Sequence, residues 1–172
     1  VCSSDLIAAS VEDHAGRVVH YAGDAVLADF STATDALSSA WACQHALAER
    51  NKDLDDTRKV QFRIGVNLGE VIVDRDDIYG DGVNVAARLE GLAEAGGICV
   101  SETIRGAVGA RLDLDFQFMG EREVKNIAEP VRAYRVVHRN RTSATEARQC
   151  PYPGMTPFGE RDAAYFYGRD DE

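Results

Sequence analysis

The order in which strand-type and helix-type apolar patterns follow one another constrains this chain more than any other feature. In "RVVHYAGDAVLADF", Val18 and Val19 lead into a Gly23-Asp24 break, and Val26, Ala28 and Phe30 alternate after it, which predicts a β-hairpin. "STATDALSSAWACQHALAERN" then changes period: Ser31 or Thr32 is placed to cap a helix whose inward face carries Leu37, Ala40, Trp41, Gln44, Leu47 and Ala48. "VQFRIGVNLGEVIVD" returns to alternation through Phe62, Ile64, Val66 and Leu68. It breaks at Gly69 and resumes at Val71 and Val73, as a bent strand or a second hairpin would. "YGDGVNVAARLEGLAEAGG" reads as a helix with Val83, Ala86, Ala87, Glu90 and Leu92 partly inward, closed by Gly96-Gly97. "ICVS" is a short buried strand, "ETIRGAVG" a short helix, and "DFQFMGEREVKNI" and "VRAYRVV" a final pair of strands. A weaker helix is expected from Leu6 to about Ala15. Strands and helices mix without strict βα alternation, so the pattern predicts an α+β sandwich rather than a doubly wound sheet.

Bulk properties narrow the functional classes. The formal charge of -10 argues against a broad grip on a phosphate backbone, and any anionic ligand must be met by local cations. No apolar run reaches the length of a membrane span. Cys2, Cys43, Cys99 and Cys150 are scattered, without a C-x-x-C pair or histidines at zinc spacing, so neither a disulfide frame nor a zinc site is expected and a cytoplasmic location fits. "VCSSDL", residues 1–6, reads as an assembly scar and is set aside. Residues 7–138 form the main domain, the polar stretch 139–150 reads as a linker, and 151–172 reads as the start of a further domain.

A few residues could carry chemistry, each with a plainer reading beside it. Asp24, next to a glycine at the hairpin tip, either sets the turn or offers a carboxylate to a hard cation. Asn84 and Arg88, four apart on a helix, share one face and lean toward the helix N-terminus, where "GDG" permits close backbone approach. That describes an anion or nucleotide site, against the alternative that Arg88 is solvated or paired with a carboxylate. Lys125 at a strand end reaches a phosphate or is ordinary surface. His20, the last residue before the hairpin turn, faces a ligand or is a half-buried, satisfied histidine. Asp77 belongs to an acidic run that reads as a solvated loop, yet it lies near the same helix mouth.

Taken in order, "GDAVLADF", "FRIGVNLGEVIV", "DDIYGDGVNVAARLE" and "EVKNIAEPVRAYRV" resemble the class III nucleotide cyclase catalytic domain of the bacterial signalling type, over about Leu6 to Val137. The resemblance implies a ferredoxin-like sandwich, of mainly antiparallel sheet with helices, that dimerises head to tail with composite active sites. The implied reaction converts ATP to 3',5'-cyclic AMP and pyrophosphate through attack of the 3'-hydroxyl on the α-phosphate, with two Mg²⁺ or Mn²⁺ ions. By the same resemblance Asp24 is the second metal aspartate, Asn84 orients the ribose and Arg88 neutralises charge on the α-phosphate. Lys125 would hold the outer phosphates, and Asp77 would accept from the adenine amine. Asp24 would come from one subunit and the other residues from its partner.

Two departures from the family pattern stand out. His20 occupies the place of the lysine that assists adenine recognition, and an imidazole would donate to adenine N1 on a shorter arm. The first metal aspartate lies on the family's opening strand, upstream of Val1, and Asp5 is too close to Asp24 to replace it. The fold is therefore expected without its first strand, the chain alone is expected to be inactive, and the full-length protein is expected to be a cyclase. A non-catalytic nucleotide-binding or dimerisation module is the alternative, favoured by His20. The tail, "PYPGMTPFGERDAAYFYGRDDE", resembles the entry to STAND-type P-loop NTPase modules, although no Walker sequence is present.

Overall fold

The computed structural model describes residues 3–23, 25–74, 77–122 and 130–139. Residues 1–138 form one compact unit. Asp24, Lys125, the linker from residue 140 onward and the tail lie outside the described residues.

Helix α1 (Ser3–Asp13) begins three residues before the Leu6 start at which the apolar pattern places it. Strands β1 (Gly16–Ala22) and β2 (Ala25–Phe30) make the expected antiparallel hairpin. Its register shifts between Val18 and His20, a bulge that re-aims the side chains beyond it. Because β1 runs on to Ala22, His20 lies within the strand and not at its end.

Helix α2 (Ala33–Asn51) starts where expected, with the Thr32 hydroxyl accepting from the Asp35 amide at 3.0 Å. Its buried face carries Leu37, Ser39, Ala40, Cys43 and Leu47, whereas Ala48 is exposed. Two serines join it to α1: Ser10 Oγ donates to Ser39 O, and Ser39 Oγ to Ser10 O, each at 3.0 Å. Gln44, half-buried, donates from Nε2 to Phe62 O at 2.9 Å and to Gly97 O at 3.0 Å, tying the helix to two loops.

The run from Val60 to Asp74 is neither a bent strand nor a hairpin. Strand β3 (Ile64–Val66) and strand β4 (Ile72–Asp74) join different sheets. Strand β4 pairs antiparallel with β5 (Asp77–Tyr79), while β3 pairs parallel with β6 (Ile98–Ser101). Strands β7 (Leu114–Arg122) and β8 (Val131–His138) complete a mixed four-stranded sheet in the order β3-β6-β8-β7.

All four residues of β6 are buried, which explains its unbroken apolar sequence. One face packs Ile98 and Val100 with Leu37 of α2, with Ile104 and Val108 of α4 (Glu102–Val108), and with Tyr134 and Val136 of β8. The opposite face packs Cys99 and Ala133 against Val85, Leu89 and Ala93, the inward side of α3 (Asp81–Leu92) and its C-cap. Each fully buried leucine or isoleucine here contributes about 1.5–3 kcal/mol relative to exposure. The inward side of α3 thus centres on Val85 and Leu89. Val83, Ala86, Glu90 and Leu92 are half-buried at its margins, and Ala87 is exposed.

Candidate nucleotide site

Helix α3 is set on the sheet by one glycine. A Cβ at Gly65 would lie 2.1 Å from Ala86 O and 2.3 Å from Glu90 N, so β3 and the helix backbone meet with no side chain between them. The first turn is tied to the loop after β3. Asn67 Nδ2 donates to Gly82 O at 3.1 Å, and the Gly82 amide donates to Glu70 O at 3.3 Å. A Cβ at Gly82 would fall 2.7 Å from Glu70 O, so this position also needs glycine. Neither Asn67 nor Gly65 stands out in the sequence beyond the "RIGVN" context.

The mouth of α3 is not an open anion cradle. The Val83 and Asn84 amides donate to Gly80 O at 3.1 and 3.2 Å, and Asp81 places a carboxylate in the first turn. What α3 offers a ligand is its exposed face. Asn84 and Arg88 are both exposed there, about 6 Å apart as i, i+4 neighbours. Arg88 forms no ion pair among the described residues, although Arg63 reaches α3 to pair with Glu90 at 3.3 Å.

His20 and Asp77, fifty-seven residues apart in sequence, meet directly: His20 Nδ1 lies 2.7 Å from Asp77 Oδ1. The same oxygen accepts the Ile78 amide at 2.8 Å. The Ile78 amide first, and then the imidazole, hold the Asp77 carboxyl below the usual carboxylate range. Both side chains remain accessible, at 40% and 50% of full exposure, so the pair faces solvent and can be reached by a ligand. Asp77 opens β5, Gly80 caps α3 directly after that strand, and Asn84 follows one turn on. A short stretch of chain therefore carries the acid that holds His20 and the exposed Asn84–Arg88 face.

Among the described residues no group of three or more His, Cys, Asp or Glu side chains is placed to hold a metal ion. Asp24 and Lys125 lie outside those residues; of the other four candidates, His20 on β1 and Asp77 on β5 meet directly, and Asn84 and Arg88 are exposed on α3.

This α+β domain, with its mixed four-stranded sheet and four helices, shares its fold with class III nucleotide cyclase catalytic domains. A cyclase crystal structure from Silicibacter pomeroyi, described as an adenylate/guanylate cyclase/hydrolase, matches with a TM-score of 0.74 at 39% identity, covering 78% of this chain and 79% of that one. The adenylyl cyclase CyaB from P. aeruginosa shares the fold with a TM-score of 0.62 at 22% identity, covering 81% of this chain and 80% of that one. The chain belongs to the adenylate and guanylate cyclase catalytic domain family, whose model matches residues 10–138. A Rhizobium meliloti (strain 1021) protein named "Putative adenylate cyclase 3" is 48% identical over 118 residues, which are 69% of this chain and 20% of that protein. The chain spans about a fifth of the length of three of the curated relatives it matches and 45% of the length of three others. Among the described residues no helix is long and apolar enough to cross a membrane.

Proposed function

We propose that this domain, within its full-length protein, converts ATP to 3',5'-cyclic AMP and pyrophosphate. The ribose 3'-oxygen forms a bond to the α-phosphorus as its proton leaves, and the bond from that phosphorus to the pyrophosphate oxygen breaks. The observation that carries this reading is the His20–Asp77 contact on the strand that runs into α3, the helix exposing Asn84 and Arg88. Asp77 uses Oδ1 for His20 and Ile78 and keeps Oδ2 for the adenine amine. Asn84 orients the ribose, and Arg88, unpaired among the described residues, supplies positive charge where the α-phosphate gains negative charge. Lys125 is proposed to hold the outer phosphates. Asp24 is proposed to contribute one carboxylate to a Mg²⁺ or Mn²⁺ site, where the ion would offset triphosphate charge and acidify the 3'-hydroxyl. The site is proposed to be shared between two copies of the chain arranged head to tail, in the cytoplasm.

The test is incubation of the full-length protein with ATP and Mg²⁺ or Mn²⁺. Cyclic AMP and pyrophosphate in equal amounts are expected, and hydrolysis to ADP without cyclic product would overturn the reading.

A further inference from the structure

We propose that protonation of His20 sets the choice between the two purines: the imidazolium reads adenine, and the neutral ring abandons that reading. This rests on the nucleotide site proposed above and assigns its specificity to one titrating side chain.

The argument starts from the hydrogen bonds at Asp77. A carboxylate can only accept, so the His20 nitrogen 2.7 Å from Oδ1 must carry a hydrogen. A neutral imidazole has a single N–H. With that hydrogen on Nδ1, Nε2 is a bare acceptor, and it has no hydrogen-bond partner among the described residues. Only the imidazolium turns Nε2 into a donor while keeping the bond to Asp77. The tautomer is thus fixed by the partner of the other ring nitrogen.

Adenine presents a donor amine at C6 beside an acceptor at N1. Guanine reverses both, with a carbonyl at C6 and an N–H at N1. Oδ2 of Asp77 suits the adenine amine in either protonation state of His20. Protonated His20 then donates to adenine N1, and both contacts are satisfied. For guanine, the same state sets Asp77 against the carbonyl and one N–H against another. Deprotonation inverts the second contact for each base: a lone pair now opposes adenine N1, and guanine N1–H gains an acceptor. Each base is then left with one good contact and one opposed contact, and discrimination collapses. A lysine at this position would donate at any physiological pH, so the departure from lysine introduces the pH dependence.

The surroundings leave Asp77 as the group bonded to the ring. Strand β1 packs against β2, α1 and β5. On β2 the charged residue is Asp29, paired with Arg17 of β1 at 3.0 Å. Helix α1 carries Asp5, Glu12 and Asp13, and His14 just beyond its end bonds through Nδ1 to Ser10 O at 2.8 Å. Strand β5 adds Tyr79, whose phenol is pushed up by its hydrogen bond to Asp74, by desolvation and by the charge of Asp77.

Two measurements test the proposal. In ¹⁵N-labelled protein above the imidazole titration range, His20 is expected as the Nδ1–H tautomer, and an Nε2–H tautomer overturns the proposal whatever the site binds. Calorimetry then gives ATP and GTP affinities across the interval in which an imidazole exchanges its proton, about pH 5.5 to 8.5. The ATP-to-GTP affinity ratio is expected to fall about a hundredfold with rising pH in the native chain, because adenine loses one hydrogen bond as guanine gains one, each worth about tenfold. It is expected to stay level in His20→Lys and in His20→Gln, whose amide offers a donor at every pH. A native ratio as level as that of the variants, with both nucleotides bound, overturns the proposal and leaves the nucleotide site standing. Binding of neither nucleotide at any pH overturns the site and the proposal together.

Discussion

Gly65 on β3 lies so close to Glu90 on α3 that a Cβ added to the glycine would fall 2.3 Å from the Glu90 amide nitrogen. The neighbours are backbone atoms, which cannot swing aside as a side-chain tip can. Gly65→Ala is therefore expected to push α3 off the sheet, at a cost of about 1–3 kcal/mol for overpacking. Denaturant unfolding of the variant should show the lowered midpoint. A variant as stable as the native chain would show that the helix can slide without cost.

Gln44 provides a second check on how the fold is fastened. Its Nε2 donates to two carbonyls, Phe62 O just before β3 and Gly97 O just before β6. Gln44→Ala leaves both carbonyls without this donor in a half-buried setting, and a loss of about 1–3 kcal/mol is expected. Hydrogen exchange should quicken at Ile64, whose amide donates to the same Gly97 O, and at Gly96, whose amide donates to Phe62 O. Loss of stability without quickened exchange at those amides would place the effect elsewhere.

Local chemistry made much of this legible in the sequence, and long-range pairing did not. The hairpin across Gly23, the Thr32 cap and the buried "ICVS" strand each follow from a few adjacent residues, and the structure contains them. The run from Val60 to Asp74 misleads because alternation reports which residues share a face, and it carries no information on the partner strand. Ile64 and Ile72 look alike in sequence, yet one joins β6 in the core sheet and the other a small, exposed ribbon. On α3, four of the five residues expected partly inward are half-buried, but the pattern passes over the two at the centre of the face. With Gly65 admitting the helix backbone, Val85 and Leu89 become its most buried residues, while Ala87 turns to solvent. For the candidate site, the family resemblance singles out Asn84, Arg88, His20 and Asp77, each of which local chemistry alone leaves with a plainer reading. The direct bond between the last two depends on β1 meeting β5, which no local pattern encodes.

Asp77 makes an acid-side prediction. Its carboxyl is held below the usual range by the Ile78 amide and by His20, so the folded state favours the ionised form. The stability this adds is fully present above the unfolded-state value, near the ordinary aspartate pKa of about 3.9, and is lost as pH falls through the lower folded value. The contact between β1 and β5 should therefore loosen in that acid window, seen as shifts in the His20 and Ile78 resonances before global unfolding. Asp77→Asn should abolish this acid step. Persistence of the step in the variant would assign it to another carboxylate.

Arg88 separates a structural role from a functional one. Its side chain is exposed and pairs with no carboxylate among the described residues, so Arg88→Ala should alter folding stability by no more than about 0.5 kcal/mol. If the guanidinium instead meets charge that develops on the α-phosphate, cyclic AMP formation by the full-length protein should fall about 10²–10³-fold, mainly in kcat and less in KM. Arg63→Ala is the matched control: it removes another arginine that touches the same helix, through Glu90 at 3.3 Å, and should leave turnover near the native rate. An Arg88→Ala protein with full kcat would remove Arg88 from the reaction. An equal loss in the Arg63 variant would show that the helix surface as a whole, and not the Arg88 charge, is what turnover requires.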